Sequence, residues 1–319
     1  MKILNFLYCF DTNYNTQGLI SITSLLNNLD SKINIFIIHN DPDSIKKNIE
    51  VIKSNKHLNN IEIFKYSNPG IELPNLNNSH VSEATYYRLF IQDYLPPELK
   101  EIIYIDADII CFSNPLEQIT FAFENMKKEN KQIAALTEYQ KEKEQSIHFE
   151  RLELSGYKYF NAGVMLIDYQ QWKEDNLQKS FIELLKKYHE KIKFWDQDIL
   201  NAYFDGNFYE LNKFLNYKVN LNNKNYSESF TKNELQEIIF LHYAGSFKPW
   251  TVRGAYHKKS QYYHDFFLKI FKKYYHIENT WKTAAMYELL KSIISFNLLN
   301  AKYPFRLFIY SAKSLFIRR

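Results

Sequence analysis

Apolar residues fall along this chain in two rhythms. Near-continuous runs mark buried strands: residues 2–10, Ile33 to Ile38, Ile61 to Phe64, Ile102 to Ile105, Ile133 to Leu136, the stretch after Gly163, and Ile238 to Leu241. Runs apolar on both sides of the strand alternation belong to sheets covered on both faces. Helical spacing follows from Gly18 to Leu26, in a Lys-rich segment to about Lys56, and from Ser82 to Tyr94, where Pro96-Pro97 stops it. Another helical region covers 172–191, with Phe181, Leu184, Leu185 and Tyr188 as its apolar stripe. The charged stretch Glu138 to Glu153 reads as an exposed helix or loop. Strands alternating with helices of this length predict an α/β fold around a mostly parallel, Rossmann-like sheet. Such sheets bind ligands at the carboxyl ends of their strands.

Polar residues cluster at those ends. Ile102-Ile103-Tyr104-Ile105 runs straight into Asp106-Ala107-Asp108. An unpaired carboxylate is very costly inside a sheet, but two at a strand end can aim oxygens at one divalent cation and a substrate phosphate. Two further Asp-X-Asp triplets read as helix starts: Asp41-Pro42-Asp43, with Asp41 as an N-cap, and Asp196-Gln197-Asp198. Asp11 closes the first strand. The small residues Ala162 and Gly163 precede a strand, consistent with either a tight bend or close approach of a ligand to the backbone. His242, Gly245 and Lys248 recur at three-residue intervals after the last strand, and neutral imidazole is a good transition-metal ligand.

Several classes are excluded. Gly-x-Gly-x-x-Gly, the P-loop pattern and the Ser-centred Gly-x-Ser-x-Gly elbow are absent. A haloacid-dehalogenase-type phosphohydrolase needs a later acidic metal pair, and no Asp-Asp or Gly-Asp step exists. Two cysteines, Cys9 and Cys111, build no disulfide framework and point to a reducing compartment. No stretch reaches the ~18 uninterrupted apolar residues of a membrane span, and the N-terminus reads as a core strand rather than a signal peptide.

Taken together, Phe10-Asp11-Thr12-Asn13-Tyr14, Thr85-Tyr86-Tyr87-Arg88-Leu89, Tyr104 to Asp108, Phe160 to Val164, Asp196 to Asn201 and His242 to Trp250 resemble glycosyltransferase family 8. That family includes bacterial lipooligosaccharide galactosyltransferases and glycogenin. The resemblance spans residues 1 to about 260. It implies a GT-A fold and retaining transfer of a hexose, galactose or glucose, from a UDP-sugar with Mn²⁺, Mg²⁺ being the alternative. By the same resemblance Asp106, Asp108 and His242 hold the metal. Cys9 (through its backbone), Asp11, Asn13 and Tyr14 meet the nucleoside, and Gly245 and Lys248 the pyrophosphate. Ala107 lies between the metal aspartates. Arg88, Asn161, Ala162, Gly163, Asp196 and Gln197 surround the donor sugar, with Asp196 and Gln197 the catalytic candidates. A neutral amide at 197 is a poor nucleophile, which favours same-face attack over a covalent intermediate.

Charge separates the chain into two parts. Net charge is +4, yet residues 271–319 hold nine Lys/Arg against two Glu, a net of +7, which leaves −3 for the rest. Within the tail, Phe305, Phe308, Ile309, Ala312 and Phe316 share one helical face. The expected division is a catalytic domain over 1–265 and a helical, basic amphipathic extension over 266–319. Residues 303–319 would dock on an anionic membrane surface, as basic amphipathic helices do; the bland alternative is a last helix packed on the core. Nucleic-acid binding is not expected of an acidic catalytic part. The expected setting is cytoplasmic, peripheral to the inner face of the cell membrane, with a lipooligosaccharide- or lipopolysaccharide-type glycan as acceptor. Rival readings are a glycogenin-like or protein-directed glucosyltransferase and a non-catalytic UDP-sugar-binding membrane protein.

Overall fold

The computed structural model describes residues 3–74, 82–142, 147–278 and 282–316. Among the described residues, ten strands form two sheets: β1 (Leu4–Phe10), β2 (Ile33–His39), β3 (Leu58–Lys65), β4 (Glu101–Ile105), β5 (Ile109–Cys111), β6 (Ile133–Gln140), β7 (Lys158–Asp168), β8 (Tyr209–Glu210), β9 (Tyr217–Asn220) and β10 (Phe240–Ala244). The larger runs β3-β2-β1-β4-β7-β6-β8 and the smaller β5-β10-β9. Every residue of β1 and β4 is buried, Asn5 and Glu101 included, as their near-continuous apolar runs predict. Pairings β3-β2, β2-β1, β1-β4 and β6-β8 are parallel, whereas β4-β7 and β7-β6 are antiparallel. The sheet is therefore mostly parallel, but β4 has one neighbour of each direction. An apolar run records that both faces are covered; neighbour direction depends on chain connections that it does not encode.

Helices flank the sheet: α1 (Asn15–Asn27), α2 (Lys46–Lys53), α3 (Leu116–Lys128), α4 (Ile147–Arg151), α5 (Tyr169–Glu174), α6 (Leu177–Tyr188), α7 (Trp195–Phe204), α8 (Lys232–Glu237), α9 (Gln261–Phe271), α10 (Lys282–Ile294) and α11 (Pro304–Phe316). Three local expectations are corrected. The 82–94 segment is a run of 3₁₀ turns (Glu83–Asp93) interrupted at Phe90, not an α-helix. The 172–191 region is two helices separated at Asn176, whose backbone is left-handed with φ 47°. Asn161, Ala162 and Gly163 lie inside β7 rather than ahead of a strand. Asp41 occupies an N-cap position without bonding the helix through its side chain. Of the charged stretch 138–153, residues 143–146 lie outside the described residues.

The expected division at 265/266 falls within α9, whose Tyr263 and Phe267 pack with β10 residues Leu241 and Tyr243 and with Trp250. Beyond α9, α10 and α11 form a hairpin joined by the turn at 297–300. Ala285, Leu289 and Leu307 pack it against Val252, Ala255 and Tyr256. Its other surface is apolar and exposed. Among the described residues, eleven of the sixteen exposed large hydrophobics lie between Met286 and Phe316. Phe305 is 81% exposed, Phe316 85% and Ile294 79%. Phe305, Phe308, Ile309 and Phe316 of the expected face are all exposed, while α11 is packed through Leu307. Ile317, Arg318 and Arg319 lie outside the described residues. No described helix is long and apolar enough to cross a membrane.

Candidate active site

A cavity of about 400 Å³ opens where β1 and β4 end, beside Asn161, Ala162 and Gly163 of β7, at the face expected of such a sheet. All the expected site residues line it except Asp11 and Asn13. Those two sit at the close of β1, where the Asp11 carboxylate accepts the Asn13 N–H at 2.9 Å and so caps the turn leading into α1. Cys9 lines the cavity and Cys111 is buried at the end of β5; burial pushes both thiols well above the ordinary range.

Asp106 follows β4 directly and Asp108 leads into β5, which pairs with the strand carrying His242. The three side chains offer ligand atoms within 4.8 Å of one another. One oxygen of Asp108, Oδ2, takes the Lys248 ammonium at 2.6 Å. The other, Oδ1, is buried without a hydrogen-bond partner and lies 3.4 Å from His242 Nε2.

A relay of amides fixes which nitrogen His242 presents. The Gly163 N–H donates to Asn161 Oδ1 at 3.0 Å, so that atom is an acceptor. It can then receive Asn216 Nδ2 at 2.9 Å, leaving Asn216 Oδ1 to accept from His242 Nδ1 at 2.9 Å. Nε2 therefore carries a bare lone pair aimed at a bare carboxylate oxygen. Burial lowers the His242 pKa, which favours the neutral ring. Two electron-rich atoms facing each other in a buried place are unfavourable alone and form a ligand pair for a cation; a ligating histidine typically has its other nitrogen held in this way. Nitrogen with oxygen donors suits Mn²⁺ better than all-oxygen Ca²⁺. The residues fit a divalent metal. Gly163 is required here, because a Cβ would stand 2.5 Å from His242 Cε1.

Arg88 organises the opposite wall. Buried against the Tyr104 ring, it donates to the Ala162 carbonyl at 2.7 Å, and it pairs with Asp106 at 3.2 Å and Asp196 at 2.6 Å. Burial pushes Asp196 up to about 7, while Arg88 opposes that shift. The Tyr104 hydroxyl donates to Asp106 at 2.6 Å. Gln197, next along α7, accepts the Ala162 N–H at 3.0 Å through its amide oxygen. Gly245, at φ 84°, takes a conformation that favours glycine as the chain leaves β10 toward Lys248.

Sequence reasoning missed Asn216, Tyr104, Glu138 and the aromatic residues Tyr139, Phe194 and Trp195, all but Asn216 lining the cavity. Glu138 had a usable signal. It follows the apolar run of β6 much as Asp11 and Asp106 follow theirs. Its Oε1 pairs with Lys218 at 2.7 Å, and its buried Oε2 has no partner.

Comparison with known proteins identifies the family and the fold. A family model described as glycosyl transferase family 8 matches residues 5–254. A lipopolysaccharide 1,2-glucosyltransferase of Escherichia coli is 33% identical over 262 residues, covering 78% of this chain and 74% of that protein. A lipopolysaccharide 1,3-galactosyltransferase of Salmonella typhimurium is 35% identical over 185 residues, 56% of this chain and 52% of that one. Among solved structures, the galactosyltransferase LgtC in complex with donor and acceptor sugar analogues superposes with a TM-score of 0.60 at 21% identity, covering 77% of this chain and 89% of that chain. The fold is that of the GT-A glycosyltransferases.

Proposed function

The chain belongs to glycosyl transferase family 8, and from that premise we propose that it moves a hexose, galactose or glucose, from a UDP-sugar to a lipooligosaccharide- or lipopolysaccharide-type glycan with retention of configuration. The acceptor class rests on the names of the similar enzymes. The observation that carries the metal-dependent reading is the unpartnered Asp108 Oδ1 facing the bare Nε2 of His242. Asp106, Asp108 and His242 would hold Mn²⁺. When bound, the ion supplies Lewis-acid stabilisation of the charge that grows on the departing diphosphate.

This chain's own groups do the rest. Lys248, buried beside Asp108, places a cation where that charge develops, and fixed charges in a dry site cost no reorganisation during reaction. Arg88 neutralises Asp106 and Asp196 together and holds them in one orientation. The Gln197 amide oxygen is engaged by a backbone N–H, and Asp196 is tied to Arg88, so neither is a free nucleophile. That favours attack by the acceptor hydroxyl on the face the diphosphate leaves. Cys9, Asp11, Asn13 and Tyr14 would receive the nucleoside at the end of β1.

The basic hairpin and tail, including residues 303–319, would hold the enzyme on an anionic membrane surface at the inner face of the cell membrane, where a lipid-borne acceptor is presented. The test is hydrolysis of a panel of UDP-sugars with Mn²⁺, with EDTA and Asp108→Asn as controls. Cleavage of one UDP-hexose, abolished by chelation and by the substitution, names the donor. Equal cleavage with EDTA, or with the variant, sinks the metal assignment.

A further inference from the structure

The ammonium of Lys248 donates to Asp108 Oδ2 at 2.6 Å and to the Tyr243 carbonyl at 2.6 Å. An ammonium has three N–H donors, and the third is the one a phosphate oxygen would take. The loop that carries this lysine lies outside any sheet ladder, where each buried carbonyl needs its own partner. Three successive carbonyls find theirs further along the chain. The Lys248 carbonyl accepts the Thr251 N–H at 2.9 Å and the Thr251 hydroxyl at 2.8 Å. The Pro249 carbonyl accepts His264 Nε2 at 3.0 Å, and the Trp250 carbonyl accepts the Glu278 N–H at 2.7 Å. A carbonyl only accepts, so His264 carries its proton on Nε2.

Two of these three partners come from chain beyond residue 254, where the match to the family ends. His264 belongs to α9, and Glu278 to the segment 272–278 that follows it and leads toward the hairpin. That segment is itself anchored. Glu278 Oε1 meets His276 Nε2 at 2.8 Å, and His276 Nδ1 meets the Tyr263 hydroxyl at 2.6 Å. Tyr263, buried on α9, packs against Trp250 with ring centroids 5.1 Å apart. The contacts therefore close on themselves: Trp250, Tyr263, His276, Glu278 and back to the Trp250 carbonyl. Such a ring fixes the direction of the Glu278 N–H, although Glu278 belongs to no helix or strand. The Trp250 ring also meets Tyr14 of the cavity wall edge-on at 5.8 Å.

We propose that His276 and Glu278 are positioning residues for Lys248: their pair aims the Glu278 N–H at the Trp250 carbonyl, clasps the loop beyond the lysine, and so keeps the ammonium aligned for the donor's diphosphate. This rests on the glycosyltransfer reading above, in which Lys248 meets that diphosphate.

The experiment measures UDP affinity by calorimetry with Mg²⁺, and uridine affinity by saturation-transfer NMR, since uridine lacks the groups Lys248 would hold. Thermal unfolding establishes that each variant is folded at the assay temperature. Glu278→Ala and His276→Ala should each weaken UDP about fivefold, the worth of one hydrogen bond, and change uridine by less than about twofold. Glu278→Gln, whose amide oxygen still accepts from His276, should restore nearly wild-type UDP binding. In a Lys248→Met background Glu278→Ala should cost UDP little more, because residues acting through one another are not additive. The inference fails if Glu278→Ala and His276→Ala leave UDP unchanged, if they weaken uridine as much as UDP, or if the Glu278 effect adds in full to Lys248→Met. Should His276→Ala not fold, Glu278→Ala decides, since that side chain is 23% exposed. Unchanged UDP binding in Lys248→Met would overturn the diphosphate reading itself, and the inference with it.

Discussion

The cavity and the α10–α11 hairpin depart from ordinary globular chemistry in opposite directions. Around the cavity, ionisable groups are buried: Arg88, Asp196, Asp198, His242 and Lys248 are all inside. On the hairpin, large apolar groups are outside, including Ile294, Phe296, Phe305 and Phe316. Buried charges are tolerated only when paired and hydrogen-bonded, and nearly every one here is. A contiguous apolar patch on a soluble surface marks an interaction site. In the cavity each group has a specified partner, so a single change should be felt strongly. Along the hairpin's outer side the exposure is spread over many residues, so changes should add gradually.

The largest expected effect tests the cavity. Asp108→Asn keeps the shape but removes the charge shared by Lys248 and the His242 lone pair; UDP-sugar hydrolysis should fall by about a thousand-fold or more, read by initial rates. Next, Arg151→Ala leaves Asp198 buried with its charge uncompensated. Such half-broken pairs cost about 3–5 kcal/mol, measurable by denaturant unfolding. A loss below about 1 kcal/mol would show that the turn before Trp195 does not depend on this pair.

A third measurement addresses the joint between the two regions. His264 on α9 is buried, bonds the Pro249 carbonyl at 3.0 Å and stacks edge-on against Tyr275. Burial lowers its pKa from 6.5 to about 3. The unfolded chain takes up a proton below pH 6.5 while the folded chain does not, so stability is intact above 6.5 and drains away as pH falls toward 3. At pH 5 the loss from this residue alone is ~2 kcal/mol, and His264→Asn should flatten that part of the stability–pH curve. The smallest single effects belong to the hairpin. Ile294→Ser with Phe296→Ser should weaken partitioning onto anionic vesicles roughly tenfold, with unfolding free energy changed by no more than about 0.5 kcal/mol because both are exposed. Unchanged partitioning would break the comparison.

Much of the cavity was legible because its residues stand at strand ends. β1, β4 and β10 are apolar runs interrupted by Asp or His, and a polar residue there is informative because the surrounding pattern is strict. Asn216 was not legible. It closes a short 3₁₀ turn (Lys213–Asn216) ahead of β9, where no periodicity distinguishes a structural amide from a surface one. Trp195 was invisible for another reason. A left-handed backbone at tryptophan is imposed by Asp198, Arg151 and Tyr159, whose positions come from three different segments. The antiparallel β4–β7 pairing likewise depends on chain path rather than composition.

The shielded thiols have a practical consequence. Cys9 and Cys111 are the chain's only cysteines, both buried and both held protonated, and protonated thiols alkylate slowly. A cysteine introduced by Ile294→Cys or Phe316→Cys would stand alone as a fast-reacting handle. An environment-sensitive dye attached there would report whether either end of the hairpin enters a bilayer, and how far, with the native sequence otherwise intact.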